Sequence, residues 1–211
     1  MKNLPTQSEQ AYQKIRQTII SGELKPGDII NIDEICLRFG TSKTPTREAL
    51  VVLAHEQFLE SLPRTGYMIT KPSIRDVKEM FHVRIVLEVD AIGLAVEQIN
   101  DEDIITLVRN NVEEQNISKN QGARVLQPEA FRLNQEFHMT IARASGNTIL
   151  ASLIQQQLEM VERALSLDPF ITDSSQHENI LFALKKREKA LCQEAMKTHL
   201  QTTLSRIMIN Y

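Results

Sequence analysis

Apolar residues recur at three- and four-residue spacing along most of the chain, and the breaks in that rhythm divide it into elements. Ala11, Tyr12, Ile15, Ile19 and Ile20 predict an amphipathic helix over residues 7–21, closed at Ser21-Gly22. Pro26-Gly27 makes a turn and residues 28–30 a short extended piece. Asn31, with Glu34 three positions on, reads as an N-cap opening a short helix that Gly40 stops after Phe39. A third helix follows, with Ala49, Leu50 and Leu53 as its apolar stripe. Residues 58–62 and 67–70 are extended runs joined by Pro63-Arg64-Thr65-Gly66, a hairpin that supplies the wing of a winged helix. Pro72 ends this region and Ser73 caps the next helix, so the linker is short.

From there the pattern is helical almost throughout: residues 74–98, 100–120, 128–145, 147–167, 174–186 and 188–209. Gly122 and Asp168-Pro169 mark loops, and Gly146-Asn147 a tight turn. No unit of 20 to 50 residues repeats, which excludes a solenoid. The expected fold is mainly α: a winged helix-turn-helix over residues 1–72, then an all-helical antiparallel bundle over 73–211 for effector binding and dimerisation.

The third helix has a polar, cationic front and a buried back. Lys43, Thr44, Thr46 and Arg47 lie in its first turn and Ser42 or Thr44 can cap it, while Pro45 is tolerated where backbone N–H groups lack partners anyway. A helix N-terminus favours anions, so hydroxyls and cations there make a reader of phosphates and base edges once an earlier helix lies across it. Alone, the same pattern also suits an ordinary amphipathic helix with a solvated start. The preceding capped helix, the turn and the wing decide for DNA.

Charge narrows how such binding can work. The formal net charge is −3, with nine Lys and Arg against eight Asp and Glu in residues 1–72 and fifteen against nineteen beyond. A basic coat is excluded, and affinity for DNA has to come from a local patch. Cys36 and Cys192 lie in helical patterns and read as small buried hydrophobes rather than a disulfide. The N-terminus has no apolar signal segment and no run of eighteen apolar residues occurs, so a soluble, cytoplasmic protein without a membrane partner is expected.

Residues 7–72 resemble the GntR family of bacterial transcription regulators. The likeness rests on Ile20-Ser21-Gly22-Glu23-Leu24-Lys25-Pro26-Gly27-Asp28, on Glu34-Ile35 with Phe39-Gly40-Thr41-Ser42-Lys43-Thr44-Pro45-Thr46-Arg47-Glu48-Ala49-Leu50, and on Leu59 through Gly66-Tyr67. It implies that Ser42, Lys43, Thr44 and Arg47 meet the major groove and its phosphates, and that Arg64, Thr65 and Gly66 of the wing lie near the minor groove. Thr46 belongs to the same expected surface. Arg47 has the forked geometry to read a guanine, whereas Lys43, Thr44 and Arg64 suit phosphates. Asp33 stands where some relatives place a basic residue.

A second constellation lies in the bundle. Asn134 and His138 share one helix face, His177 opens the next-to-last helix and His199 lies in the last. Converging, they would form a first-row transition-metal site of three imidazoles and an amide oxygen. Spacing alone does not separate that from capping or core histidines. Residues 74–211 resemble the all-α FCD effector domain of the FadR-like branch, through Arg84-Ile85-Val86-Leu87-Glu88, Asn134-Gln135-Glu136-Phe137-His138, Ala144-Ser145-Gly146-Asn147, His177-Glu178 and His199-Leu200. The resemblance implies a divalent metal, zinc, nickel or similar, held by one aspartate and three histidines, and this chain has Asn134 at the aspartate position. A neutral amide leaves the ion's charge uncompensated, which weakens the metal and strengthens its pull on an anion. Arg84 is the expected second partner of a carboxylate effector, with a salt bridge to Glu88 as its alternative. His55 and His82 match no ligand position.

The expected function is a ligand-responsive regulator, a repressor binding a palindromic operator as a homodimer, because one recognition helix reads too few base pairs. A metal-dependent hydrolase using the three histidines would leave the first 72 residues idle. An architectural DNA-binding protein would show neither sequence preference nor effector.

Overall fold

Thr6 opens the first helix with a reciprocal cap. Its hydroxyl accepts the Glu9 N–H at 3.2 Å while the Glu9 carboxylate accepts the Thr6 N–H at 2.7 Å. The computed structural model describes residues 5–121, 128–165 and 177–210. It divides into two units, Met1–Pro72 and Ser73–Tyr211.

In the first unit α1 (Gln7–Ile20) buries Ala11, Ile15, Ile19 and Ile20. After β1 (Ile29–Ile30), Asn31 accepts the Glu34 N–H at 2.8 Å and starts α2 (Ile32–Phe39). Gly40 ends it at φ 65°, a left-handed conformation that costs glycine nothing. α3 (Lys43–His55) turns Ala49, Leu50 and Leu53 inward. β2 (Leu59–Leu62) and β3 (Gly66–Ile69) form the wing, and β3 is the central strand of an antiparallel sheet in the order β1-β3-β2. The extended piece before α2 thus becomes a third strand, with Ile30 opposite Tyr67. That close pairing fixes Gly66, because a Cβ there would run into the Ile30 carbonyl oxygen. Ile15, Ile19, Ile35, Leu50, Leu53 and Ile69 make a dry core, each side chain contributing about 1.5–3 kcal/mol by burial.

In the second unit Ser73 and Asp76 form another reciprocal cap and begin α4 (Ile74–Gln98). There follow α5 (Asp101–Gln121), α6 (Pro128–Ala144), α7 (Thr148–Leu165), α8 (His177–Lys186) and α9 (Lys189–Asn210). The loops expected at Gly122 and Asp168-Pro169, and the helix start at Ser174, lie outside the described residues. The long α4 packs against α6, α7 and α9, while α5 lies on α6 and α8. Phe81, Ile92, Phe137, Ile180, Leu184 and Leu200 centre the main core, and Met139, Ala142, Leu150, Ile154 and Leu158 form a second cluster between α6 and α7. Arg187, between α8 and α9, donates to the Ile99 carbonyl at 2.8 Å and the Asp101 carboxylate at 2.9 Å, tying the end of α4 to the start of α5. No described helix is long and apolar enough to cross a membrane.

Candidate functional site

The front of α3 is solvent-facing. Ser42, Lys43, Thr44 and Arg47 are exposed, and so are Arg64 and Thr65 at the wing tip, with Gly66 half-buried beneath them. Arg64 takes φ 65° to turn the hairpin. Ser42 holds the N-cap position but makes no side-chain cap bond, and the first turn carries no acidic residue, so its backbone N–H groups face outward beside two cations. Lys43 is engaged already: its ammonium lies 2.6 Å from Asp33 of α2, and that hydrogen bond, more than the charge alone, raises its pKa.

Thr46 departs from its expected place on this surface. It is fully buried, and its hydroxyl donates to the Ser42 carbonyl at 2.9 Å, which leaves its oxygen to accept from Thr41 at 2.8 Å and from the Cys36 thiol at 3.4 Å. A helical residue three positions before Ala49 and four before Leu50 turns inward with the apolar stripe. Thr46 therefore fastens the turn between α2 and α3, with its side chain closed off from solvent.

In the bundle, His138 of α6, His177 of α8 and His199 of α9 come together buried, each offering a ring nitrogen within 4.8 Å of the others. His138 Nε2 lies 3.3 Å from His199 Nε2. That is about the separation of two nitrogens each bound at about 2.0–2.1 Å to one tetrahedral ion. Asn134, one turn before His138, places its amide 3.5 Å from His177 Nε2, and a half-turn of the amide exchanges donor for acceptor there. His177 is stacked flat on Phe137, with centroids 3.9 Å apart and planes 5° off parallel, which fixes the ring. His55 and His82 are exposed and distant from this cluster in sequence and element.

Glu88 orients His138. Burial alone would raise its carboxyl, but Arg84 and His138 outweigh that and hold it at about 2, so it stays ionised and can only accept. Its two oxygens take Arg84 Nε–H at 2.7 Å and His138 Nδ1–H at 2.5 Å. Burial keeps the His138 imidazole neutral, its pKa lowered despite Glu88. With the proton on Nδ1, the Nε2 lone pair points at the other histidines, the arrangement of a metal-binding imidazole. His199 is likewise held well below its ordinary pKa, by burial first and by the neighbouring imidazoles next. Arg84 therefore takes its alternative partner. Its Nε serves an internal carboxylate in a buried pair, and through Glu88 it positions His138.

Five buried polar atoms around this cluster have no hydrogen-bond partner among the described residues: Asn111 Oδ1, both Glu114 oxygens, His177 Nδ1 and His199 Nδ1. Orphaned donors and acceptors beside three convergent imidazoles fit a divalent transition ion with nitrogen and oxygen ligands. Glu114 escaped the sequence reading, although a signal existed. Ile104, Leu107, Asn111 and Glu114 follow one another at helical spacing, so two polar residues occupy core positions of α5.

Comparison with known proteins agrees with both units. Residues 7–69 match the family described as bacterial regulatory proteins, gntR family, and residues 79–202 match the FCD domain. An uncharacterised HTH-type transcriptional regulator of Bacillus subtilis, YdhC, is 30% identical over 195 residues, covering 90% of this chain and 86% of its own length. The HTH-type transcriptional repressor RspR of Escherichia coli is 26% identical over 204 residues, covering 93% and 88%. The solved structure of E. coli McbR/YncC shares the fold at a TM-score of 0.80 and 23% identity, covering 99% of this chain and all of that one. The chain therefore belongs to the GntR family and is a transcriptional regulator, not an enzyme, with an FCD effector domain behind a winged helix-turn-helix.

Proposed function

We propose that this regulator binds a palindromic operator as a homodimer in the cytoplasm and represses transcription until a small organic acid binds its bundle. The observation carrying the effector half is the buried convergence of His138, His177 and His199 beside Asn134. These four residues would hold a divalent ion such as zinc or nickel, and the ion, when bound, supplies a positive centre that anchors a carboxylate. Arg84 and Glu88 keep His138 in the tautomer that binding requires. At the DNA, Arg47 reads a base edge, while Ser42, Lys43, Thr44, Arg64 and Thr65 hold phosphates and Gly66 lets the wing approach. Repression is supported by a repressor among its relatives, RspR.

The test is elemental analysis of protein purified without chelator, followed by operator binding with and without metal and a panel of small carboxylic acids. The expected result is close to one divalent ion per chain and an acid that shifts operator affinity only in the metal-loaded protein. Protein that neither carries nor takes up metal would overturn the site. A shift that is identical in stripped and loaded protein would overturn the link between ion and effector.

A further inference from the structure

Asn134 brings no charge to the site, yet one buried carboxylate beside it is neither a ligand nor balanced by a cation. Glu114 is fully buried on α5, and neither of its oxygens has a hydrogen-bond partner among the described residues. Beside it stands His177, whose Nδ1 lies 3.6 Å from Glu114 Oε2. The stack on Phe137 holds the imidazole edge-on between two groups, so Nδ1 faces Glu114 and Nε2 faces Asn134. Glu88 behind His138 differs, because Arg84 neutralises it. Burying an unpaired carboxylate is unfavourable unless something repays it, and a carboxylate behind a metal-bound imidazole fixes the tautomer and raises ligand basicity.

We infer that Glu114 is a positioning residue that supplies, through His177, the negative charge that Asn134 does not bring to the metal. This rests on the proposed metal site and assigns to a residue on a separate helix the charge that the ligand set lacks. Closing the 3.6 Å gap when the ion binds lets His177 Nδ1–H donate to Glu114 while Nε2 holds the ion, so the pair acts as one anionic ligand one atom removed. Asn111 lies a turn earlier on the same helix, and its Oδ1 also has no hydrogen-bond partner among the described residues.

The test measures zinc and nickel affinity by competition with a chelating dye in full-length wild type, Glu114→Gln, Asn134→Asp and the double variant. Glu114→Gln should lose about 10- to 100-fold in affinity, the usual cost of removing such an outer partner. Asn134→Asp should restore at least tenfold of that loss in the double variant. Metal-free Glu114→Gln should melt no lower than metal-free wild type, since a buried carboxyl without a hydrogen-bond partner has been replaced by a neutral amide; a residue needed only for packing would melt lower. Wild-type affinity retained in Glu114→Gln would overturn the inference while leaving the site intact, whereas wild type that binds no metal overturns the site itself. Should Glu114→Gln fail to fold, NMR of zinc-loaded wild type decides. A protected, downfield proton on His177 Nδ1 is expected, and its absence would overturn the proposal.

Discussion

Lys43 and Thr46 stand three residues apart on one helix and meet different surroundings. Thr46 is drawn in by three hydrogen bonds, while Lys43 stays out and pairs with Asp33. An exposed pair of this kind adds little stability but competes with phosphate for the ammonium. Asp33→Asn is therefore expected to strengthen non-specific DNA binding and steepen its salt dependence, measured by titration at several salt concentrations. Arg47→Ala should remove selectivity between the operator and scrambled DNA, about 1–3 kcal/mol, with the bundle still folded. Cys192 offers a third check at this scale. Burial, with Glu188 adding to it, pushes its thiol up to about 11, so the thiol stays protonated at neutral pH. Its contribution to stability is present below the ordinary value of 9.0 and is lost as pH rises from there towards 11. Alkylation at neutral pH, followed by mass spectrometry, should mark the half-buried Cys36 well before Cys192.

Among elements, α4 carries the largest share of the second unit. Its apolar face packs on three helices, its Arg84 and Glu88 reach the histidine cluster, and its last carbonyls are closed by Arg187. The guanidinium satisfies a helix end that would otherwise be left open and joins it to Asp101 at the positive end of α5. Arg187→Met keeps the stem and removes those bonds. It should lower stability by about 1–3 kcal/mol in chemical denaturation while leaving metal affinity within twofold, because the contact lies away from the histidine cluster. The same element carries the Arg84–Glu88 pair, because residues four apart on a helix meet readily.

For the whole molecule, two units with separate cores carry separate tasks, the first presenting a small cationic surface and the second enclosing a polar cluster. In the proposed homodimer two recognition helices act together on the operator, which suits a chain of net charge −3. Light scattering should give twice the 24.1 kDa of the chain, and operator footprints should show two half-sites about one helical turn apart. A monomer at operator-binding concentrations would contradict this.

Helix and strand positions were legible in the sequence because apolar spacing and caps are local signals: Asn31, Ser73 and Gly40 act where their types predict. The four residues of the histidine cluster were also legible, since Asn134 and His138 lie a turn apart and the resemblance places His177 and His199 with them. What lies behind those four side chains was decided only by packing. Glu88 and Glu114 come from other helices, and no spacing within one element records which carboxylate will face which imidazole nitrogen. The same holds for Thr46, whose side chain is drawn inward by Thr41 and Cys36, and for β1, which needed β3 beside it to become a strand. Local pattern sets where elements begin, end and turn their faces, whereas the pairing of buried charges is a property of several helices at once and exists only when they are packed.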